Sequence, residues 1–330
     1  MQVTVLGAGS WGTGLACLFA KRQEKVVLYG RSPEGLSLNS THHNPLAFPE
    51  KELPANISYT NHLETALQGS QIIVFSVPSG AYREMARKVL PFLTAKVYLV
   101  STAKGFDPAT QERLSEVLRE EIPETKRYPI VSLLGPSYAS EVMDGLLTAV
   151  ASVSQDLKAA TFIQKAVSSE SFRVYTQTDE IGAEVSAALK NVLAIASGIL
   201  DGLAQGSNAR AALITRGIAE IRRLALALGS QSRTFLGLTG IGDLVLTCTS
   251  PQSRNFYLGR AIGQANDAKN VLKNNTQTTE GVVTAKVALE LANKLGIDMP
   301  ITAAVETILF EGKRPSEVIR GLMERSLKEE

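Results

Sequence analysis

The sequence predicts an α/β fold in two parts: an N-terminal, Rossmann-like doubly wound sheet over residues 1–178, then an all-α C-terminal domain over 179–330. Three observations predict it. The chain opens with a short β-branched run that leads directly into a glycine turn and a helical stretch, MQVTVLGAGSWGTGLACLFAKR. Strand-like runs then alternate with helical stretches, the order that covers a sheet on both faces. After residue 174 no clear strand follows, and the alanine- and leucine-rich sequence reads as helices punctuated by glycine. A length of 330 residues with 44% hydrophobic content suffices for about two domains. No low-complexity linker separates them, and the boundary is expected near 176–179.

The first strand is expected at 2–6. Gly7, Gly9 and Gly12 follow it at the G-x-G-x-x-G spacing. The first glycine permits a tight turn, the second lets backbone approach a pyrophosphate, and the third lets the helix pack closely on the strand. Such a motif alone is weak evidence. Here it lies between a strand and a helix, and a second strand at 25–29 follows at βαβ distance, so a dinucleotide site is expected. That second strand runs into YGRS, which puts Arg31 where NAD-preferring folds carry an acidic residue for the ribose hydroxyls. A cation there accepts a 2′-phosphate, so NADP(H) is expected ahead of NAD(H). Arg31 can instead stack on the adenine, which leaves dual use open.

The next segment is polar and holds all three histidines, His42, His43 and His62, among Asn39, Asn44 and Asn61. With no histidine after residue 62, a Ser-His-Asp triad assembled across two domains and an HExxH metal site are both excluded, leaving lysine or carboxylate as the acid/base. Further strands are expected at 71–77, 96–100, 129–134 and 147–153. Two of them end in residues suited to ligands. Val100 runs into STAKGF, presenting Lys104, and Leu134 runs into GPSYASE, presenting Gly135, Ser137 and Ala139 at a helix start. Each alone more commonly means a loop with a solvated lysine or an N-capped helix; their shared rim favours a ligand site.

The helical half is expected to carry the chemistry. In 187–208, AALKNVLAIASGILDGLAQGSN, the apolar residues recur too densely for a helix with one wet face. Lys190 is the only formal charge between 185 and 200, with Asn191 beside it. Desolvation would lower the lysine's pKa and make it a proton donor and acceptor near neutrality. The alternative is a lysine that snorkels its ammonium to water. In 237–255, GLTGIGDLVLTCTSPQSRN, a glycine-rich approach leads to Asp243, a row of hydroxyls and Arg254-Asn255. Arginine offers a donor fork matched to phosphate, and Thr247, Ser253 and Asn255 add neutral donors, which suits a small phosphorylated substrate. Asp243 can orient Lys190 or bind a substrate hydroxyl.

Composition restricts the partners. With 34 Lys+Arg against 32 Asp+Glu the net charge is +2, and no basic run is interleaved with aromatics, so no nucleic-acid surface is expected. Residues 1–6 lack a basic n-region and no uninterrupted apolar run reaches membrane-spanning length, so neither a signal peptide nor membrane insertion is expected, and a cytoplasmic address follows. Cys17 and Cys248 have no redox or ligand spacing, and no metal is expected.

These blocks resemble the bacterial, soluble type of NAD(P)-dependent sn-glycerol-3-phosphate dehydrogenase across nearly the whole chain. GAGSWGT, STAKGF, GPSYASE, LKNVLAIASGILDGL, ALITRGIAEI at 212–221, GLTGIGDLVLTCTSPQSRN and TTEGVVTA at 278–285 occur in the family's order. The resemblance implies reduction of dihydroxyacetone phosphate for phospholipid synthesis, with Lys190 as proton donor to the carbonyl oxygen and Lys104 touching substrate and cofactor. It implies substrate contacts from Gly135, Ser137, Asp243, Ser253, Arg254 and Asn255, with Asn191 and Thr247 lining the pocket. It implies cofactor contacts from Ser10, Trp11, Arg31, Ala139, Arg254, Thr278 and Glu280, and a homodimer. Departures are Ala187 for a glycine, Gln205 for an apolar or aromatic residue, Thr278 for an aliphatic one, and an atypical 39–54 segment with Ala47-Phe48-Pro49-Glu50. Two competing readings are a related two-domain β-hydroxyacid-type dehydrogenase and a non-catalytic, nucleotide-binding redox sensor.

Overall fold

The computed structural model describes residues 1–23 and 25–327. The chain divides into two compact units, one of Met1–Ala103 with Glu112–Glu180, the other of Lys104–Gln111 with Ile181–Glu330.

The first unit is built on strands β1 (Gln2–Leu6), β2 (Lys25–Tyr29), β3 (Ile57–Thr60), β4 (Ile72–Phe75), β5 (Tyr98–Ser101), β6 (Val131–Leu134), β7 (Thr148–Val153) and β8 (Phe172–Gln177). They form one sheet in the order β3-β2-β1-β4-β5-β6-β7-β8. From β3 to β6 every pairing is parallel; β7 runs antiparallel to β6, and β8 runs parallel to β7. Strand order reverses direction at β1 and β4, the switch point at which open α/β sheets bind nucleotides. Leu6 pairs with both Tyr29 and Phe75, and Phe75 with Ser101, so the carboxyl ends of β1, β2, β4 and β5 lie level on one rim.

Side-chain alternation explains why both faces are covered. Val3, Val5, Ile72 and Val74 point into one core, which includes Leu15 and Phe19 of helix Ser10–Ala20. Ile73, Phe75 and Leu99 point into the other, with Tyr82, Ala86 and Val89 of one helix and Leu114, Val117 and Leu118 of another. Strands β3 and β8 were not expected. Both are edge strands with only two well-buried apolar residues each (Ile57 and Tyr59; Phe172 and Val174), too short a pattern to stand out from polar surroundings. The histidine-rich segment is structural around its asparagines: buried Asn44 donates to the Ala8 carbonyl (3.1 Å) and Thr13 Oγ1 (2.8 Å), fastening the segment behind the glycine turn.

The helical unit surrounds helix Glu180–Gly202, which it contains from residue 181. Helices Gly206–Ala227, Asp243–Thr249, Arg254–Ala265, Glu280–Lys294 and Pro300–Phe310 contribute to the same core. Among the described residues Glu180–Gly202 alone is long and apolar enough to cross a membrane, yet 89% of its apolar window is buried inside the protein, as in a core helix. Its first residue, Glu180, belongs to the first unit and accepts hydrogen bonds from Arg113 (3.0 Å), Arg119 (2.5 Å) and Ser115 (2.8 Å). Burial alone would raise this carboxyl; the arginines and the serine hold it below its ordinary value.

Candidate active site

In the sheet unit the glycine turn follows β1. Gly7 has φ +115°, and a Cβ there would fall 2.3 Å from the Ser76 carbonyl oxygen beyond β4. A Cβ on Gly12 would fall 1.9 Å from the Gly7 carbonyl oxygen. These two glycines are required by the protein's own packing. Gly9 is different, because a Cβ there would meet no heavy atom within 4 Å. A side chain at 9 would stand at the N-terminus of helix Ser10–Ala20, where a pyrophosphate must approach backbone N–H groups. The turn therefore fits a dinucleotide. Ser10 opens that helix and is exposed, and Trp11 is half-buried against the core.

Arg31 lies exposed two residues beyond β2. Its neighbour Ser32 is fixed by Tyr59, whose hydroxyl donates to the Ser32 carbonyl (2.6 Å). On the same rim, Gly135 follows β6 with φ +141°, and Ser137 Oγ donates back to the Gly135 carbonyl (3.1 Å). Ala139 starts a helix of only 5 residues, Ala139–Met143, so its dipole offers an anion less than the sequence suggested.

The helical unit brings together most of the residues expected to bind substrate. Lys190 is 6% exposed and Asp243 1%, so the ammonium does not snorkel. Lys190 Nζ donates to Asp243 Oδ1 (2.5 Å) and to Thr247 Oγ1 (2.8 Å). Thr247 in turn donates to the Asp243 carbonyl (2.6 Å), as i and i+4 positions on one helical face allow. Lys104 Nζ occupies the other carboxylate oxygen, Asp243 Oδ2, at 2.9 Å. A glycine-rich turn kinked at Gly240, Leu238–Gly242, delivers Asp243 to this position. Within it a Cβ on Gly240 would fall 2.4 Å from the Phe235 carbonyl oxygen.

Burial drives the Lys190 pKa down to about 7; Asp243 opposes the fall and the second cation, Lys104, adds to it. Burial would raise the Asp243 carboxyl, but the two ammonium groups outweigh it and hold the group below its ordinary range. A lysine near neutrality exchanges a proton in either direction with little penalty.

A chain of amides continues from this cluster. Asn191 Nδ2 donates to the Lys104 carbonyl (2.9 Å), and Asn255 Nδ2 donates to Asn191 Oδ1 (3.0 Å). Asn255 Oδ1 accepts the Gly281 N–H (3.0 Å) at the start of helix Glu280–Lys294, whose first residue is Glu280. Ser253 caps helix Arg254–Ala265 by accepting the Phe256 N–H (3.2 Å). Arg254 opens the helix exposed, with no side-chain partner among the described residues. Thr278 is exposed two residues before Glu280. Sequence reasoning gave no role to Gly281 or Tyr59; the first lies inside the TTEGVVTA block without a side chain to carry chemistry, and the second sits in an unrecognised strand.

A glycine turn at the switch point of a mostly parallel sheet, and a buried lysine held on a carboxylate, fit the class of nicotinamide-dependent dehydrogenases. Residues 2–160 match the model of the NAD-dependent glycerol-3-phosphate dehydrogenase N-terminus, and residues 179–320 that of its C-terminus. The chain is 44% identical over 330 residues to glycerol-3-phosphate dehydrogenase, NAD(P)+, of Exiguobacterium sp., covering 100% of this chain and 97% of that one. It is also 44% identical to the enzyme of the same name from Chlorobium phaeobacteroides, covering 100% and 99%. The crystal structure of glycerol-3-phosphate dehydrogenase from Coxiella burnetii superposes with a TM-score of 0.92 at 37% identity, covering 98% of this chain and 99% of that one. The chain belongs to the NAD(P)-dependent glycerol-3-phosphate dehydrogenase family, and it catalyses the NAD(P)H-dependent reduction of dihydroxyacetone phosphate to sn-glycerol 3-phosphate, a reaction of lipid metabolism. A D-mandelate dehydrogenase matches at 12% identity with a TM-score of 0.65, a likeness of fold alone.

Proposed function

We propose that Lys190 is the proton donor of this reduction and the acceptor in reverse. The observation that carries the reading is the buried Lys190–Asp243 contact at 2.5 Å with the lysine pKa lowered to about 7. When bound, a nicotinamide cofactor would supply the hydride that the carbonyl carbon accepts. As negative charge grows on the carbonyl oxygen, the Lys190 ammonium stabilises it and then gives up its proton, leaving a neutral amine. Asp243 orients that ammonium through Oδ1, Thr247 fixes it from a second side, and burial, with Lys104 adding to it, keeps its proton affinity low.

Arg254 supplies the fork for the substrate phosphate, with Ser253, Asn255, Asn191, Gly135 and Ser137 completing the substrate contacts. Gly7, Gly9, Ser10, Trp11 and Gly12 hold the pyrophosphate end of the dinucleotide. Ala139, Lys104, Arg254, Thr278 and Glu280 complete the cofactor contacts. Arg31 meets the 2′-phosphate, so NADP(H) is used in preference to NAD(H); its exposed position directly after β2 supports this. Residues 1–178 serve as the dinucleotide-binding domain and 179–330 as the substrate-binding and catalytic domain. We place the enzyme in the cytoplasm as a homodimer that neither binds nucleic acid nor inserts into a membrane; the near balance of 34 Lys+Arg and 32 Asp+Glu supports the nucleic-acid part.

The pH dependence of single-turnover hydride transfer tests the proton donor. The reduction needs the ammonium, so its rate falls as pH rises through about 7, while the reverse oxidation needs the amine and rises through the same pH. Two pH-independent rates would remove Lys190 from the proton-transfer step.

A further inference from the structure

Two helices of the helical unit meet through four glycines spaced as two i, i+4 pairs, Gly198 and Gly202 on Glu180–Gly202, Gly259 and Gly263 on Arg254–Ala265. Each would drive a Cβ into the backbone of the facing helix. The distances are 2.1 Å from Gly198 to the Phe256 carbonyl oxygen, 2.3 Å from Gly202 to that of Arg260, 2.1 Å from Gly259 to that of Ile195, and 2.4 Å from Gly263 to that of Ile199. The contact is reciprocal, backbone on backbone, with no flexible side chain between the helices to take up a change. An Asp201–Arg260 ion pair (3.2 Å) fastens the same two helices at their outer edge.

The two helices carry different parts of the reaction. Lys190 and Asn191 lie about two turns before Gly198, and Arg254 and Asn255 lie at the start of the partner helix, about one turn before Gly259. The Asn255–Asn191 hydrogen bond (3.0 Å) crosses between them at this end. We propose that the four-glycine interlock is a specificity device: it fixes the span between the proton donor Lys190 and the phosphate-binding Arg254–Asn255 pair, and so matches the site to a ketone one carbon removed from its phosphate ester. This rests on the site reading given above. Gly198, Gly202, Gly259 and Gly263 are then positioning residues, which touch no substrate themselves.

A methyl group at residue 259 cannot be absorbed by rotamer changes, because the atom it meets is a main-chain oxygen 2.1 Å away. Restoring an ordinary contact separates the helices by on the order of 1 Å, a misplacement that can cost about 100-fold in rate when it disturbs reacting groups. The loss falls on substrates that use both ends of the site. Dihydroxyacetone uses only the Lys190 end.

The test compares kcat/KM for dihydroxyacetone phosphate with that for dihydroxyacetone in wild type, Gly259→Ala, Gly263→Ala and Arg254→Ala, with melting temperature and NADPH affinity measured on each. Gly263 lies in the last turn of its helix, where the backbone can yield, so this variant reads the same quantity if Gly259→Ala does not fold. The expected result is a phosphate-to-unphosphorylated ratio lowered about 10- to 100-fold in Gly259→Ala and less in Gly263→Ala. NADPH affinity falls no further than in Arg254→Ala, and dihydroxyacetone turnover at saturating NADPH is retained in both. If both substrates decline in proportion in the glycine variants while Arg254→Ala abolishes the ratio, the interlock is packing alone and the proposal is overturned. If Arg254→Ala also leaves the ratio unchanged, the phosphate assignment itself falls.

Discussion

Lys190 shares Asp243 with a second cation: its Nζ stands 2.5 Å from Oδ1, while Lys104 Nζ stands 2.9 Å from Oδ2 of the same buried carboxylate. Burial lowers the Lys190 pKa to about 7, and the second cation, Lys104, adds to that fall while Asp243 opposes it.

Lys104→Ala should move the proton-transfer limb. Lys104 lowers the Lys190 pKa, so removing it raises that pKa above about 7. Reduction then persists to higher pH and oxidation requires higher pH, even as overall turnover falls. The pH profiles of both directions, measured on wild type and variant, check the sign; a limb displaced to lower pH would contradict the charge arrangement.

Arg31→Ala should erode the preference for NADPH over NADH. Charge-assisted hydrogen bonds contribute about 1.5–3 kcal/mol, corresponding to a change of roughly 10- to 100-fold in the ratio of kcat/KM values. NADH turnover should change little. An unaltered ratio would mean that Arg31 does not meet the 2′-phosphate.

Arg113→Ala tests the anchor at the head of the central helix. Glu180 is buried and shared by Arg113 and Arg119. Removing one partner from a buried carboxylate costs about 3 kcal/mol, read as a lower midpoint in urea unfolding.

The sheet was largely legible because its central strands are runs of β-branched residues buried on both faces, such as Val3 to Leu6 and Ile72 to Phe75. Edge strands β3 and β8 were not, since they bury only alternate residues and lie among polar ones. The burial of Lys190 was legible as one charge in an apolar helix. Its pairing with Asp243, 53 positions later, could only be raised as one of two alternatives, because the kinked turn that delivers the aspartate has no marked sequence signature beyond its glycines. The helix at Ala139 was read as an anion site from its start alone. Its 5-residue length, set by the turn at Gly145, was not apparent.

The glycines of the interlock were present in the sequence at i, i+4 spacing, 198 with 202 and 259 with 263. Such spacing marks close helix approach only once the two helices are known to face each other, and no local signal pairs them.

The most direct measurement is oxidation of NADPH with dihydroxyacetone phosphate by wild type beside Lys190→Ala, with NADPH affinity determined for both. Turnover by wild type, its loss in the variant by at least about 100-fold, and equal cofactor affinity are the expected results. Substantial turnover by Lys190→Ala would contradict the assignment of the proton donor.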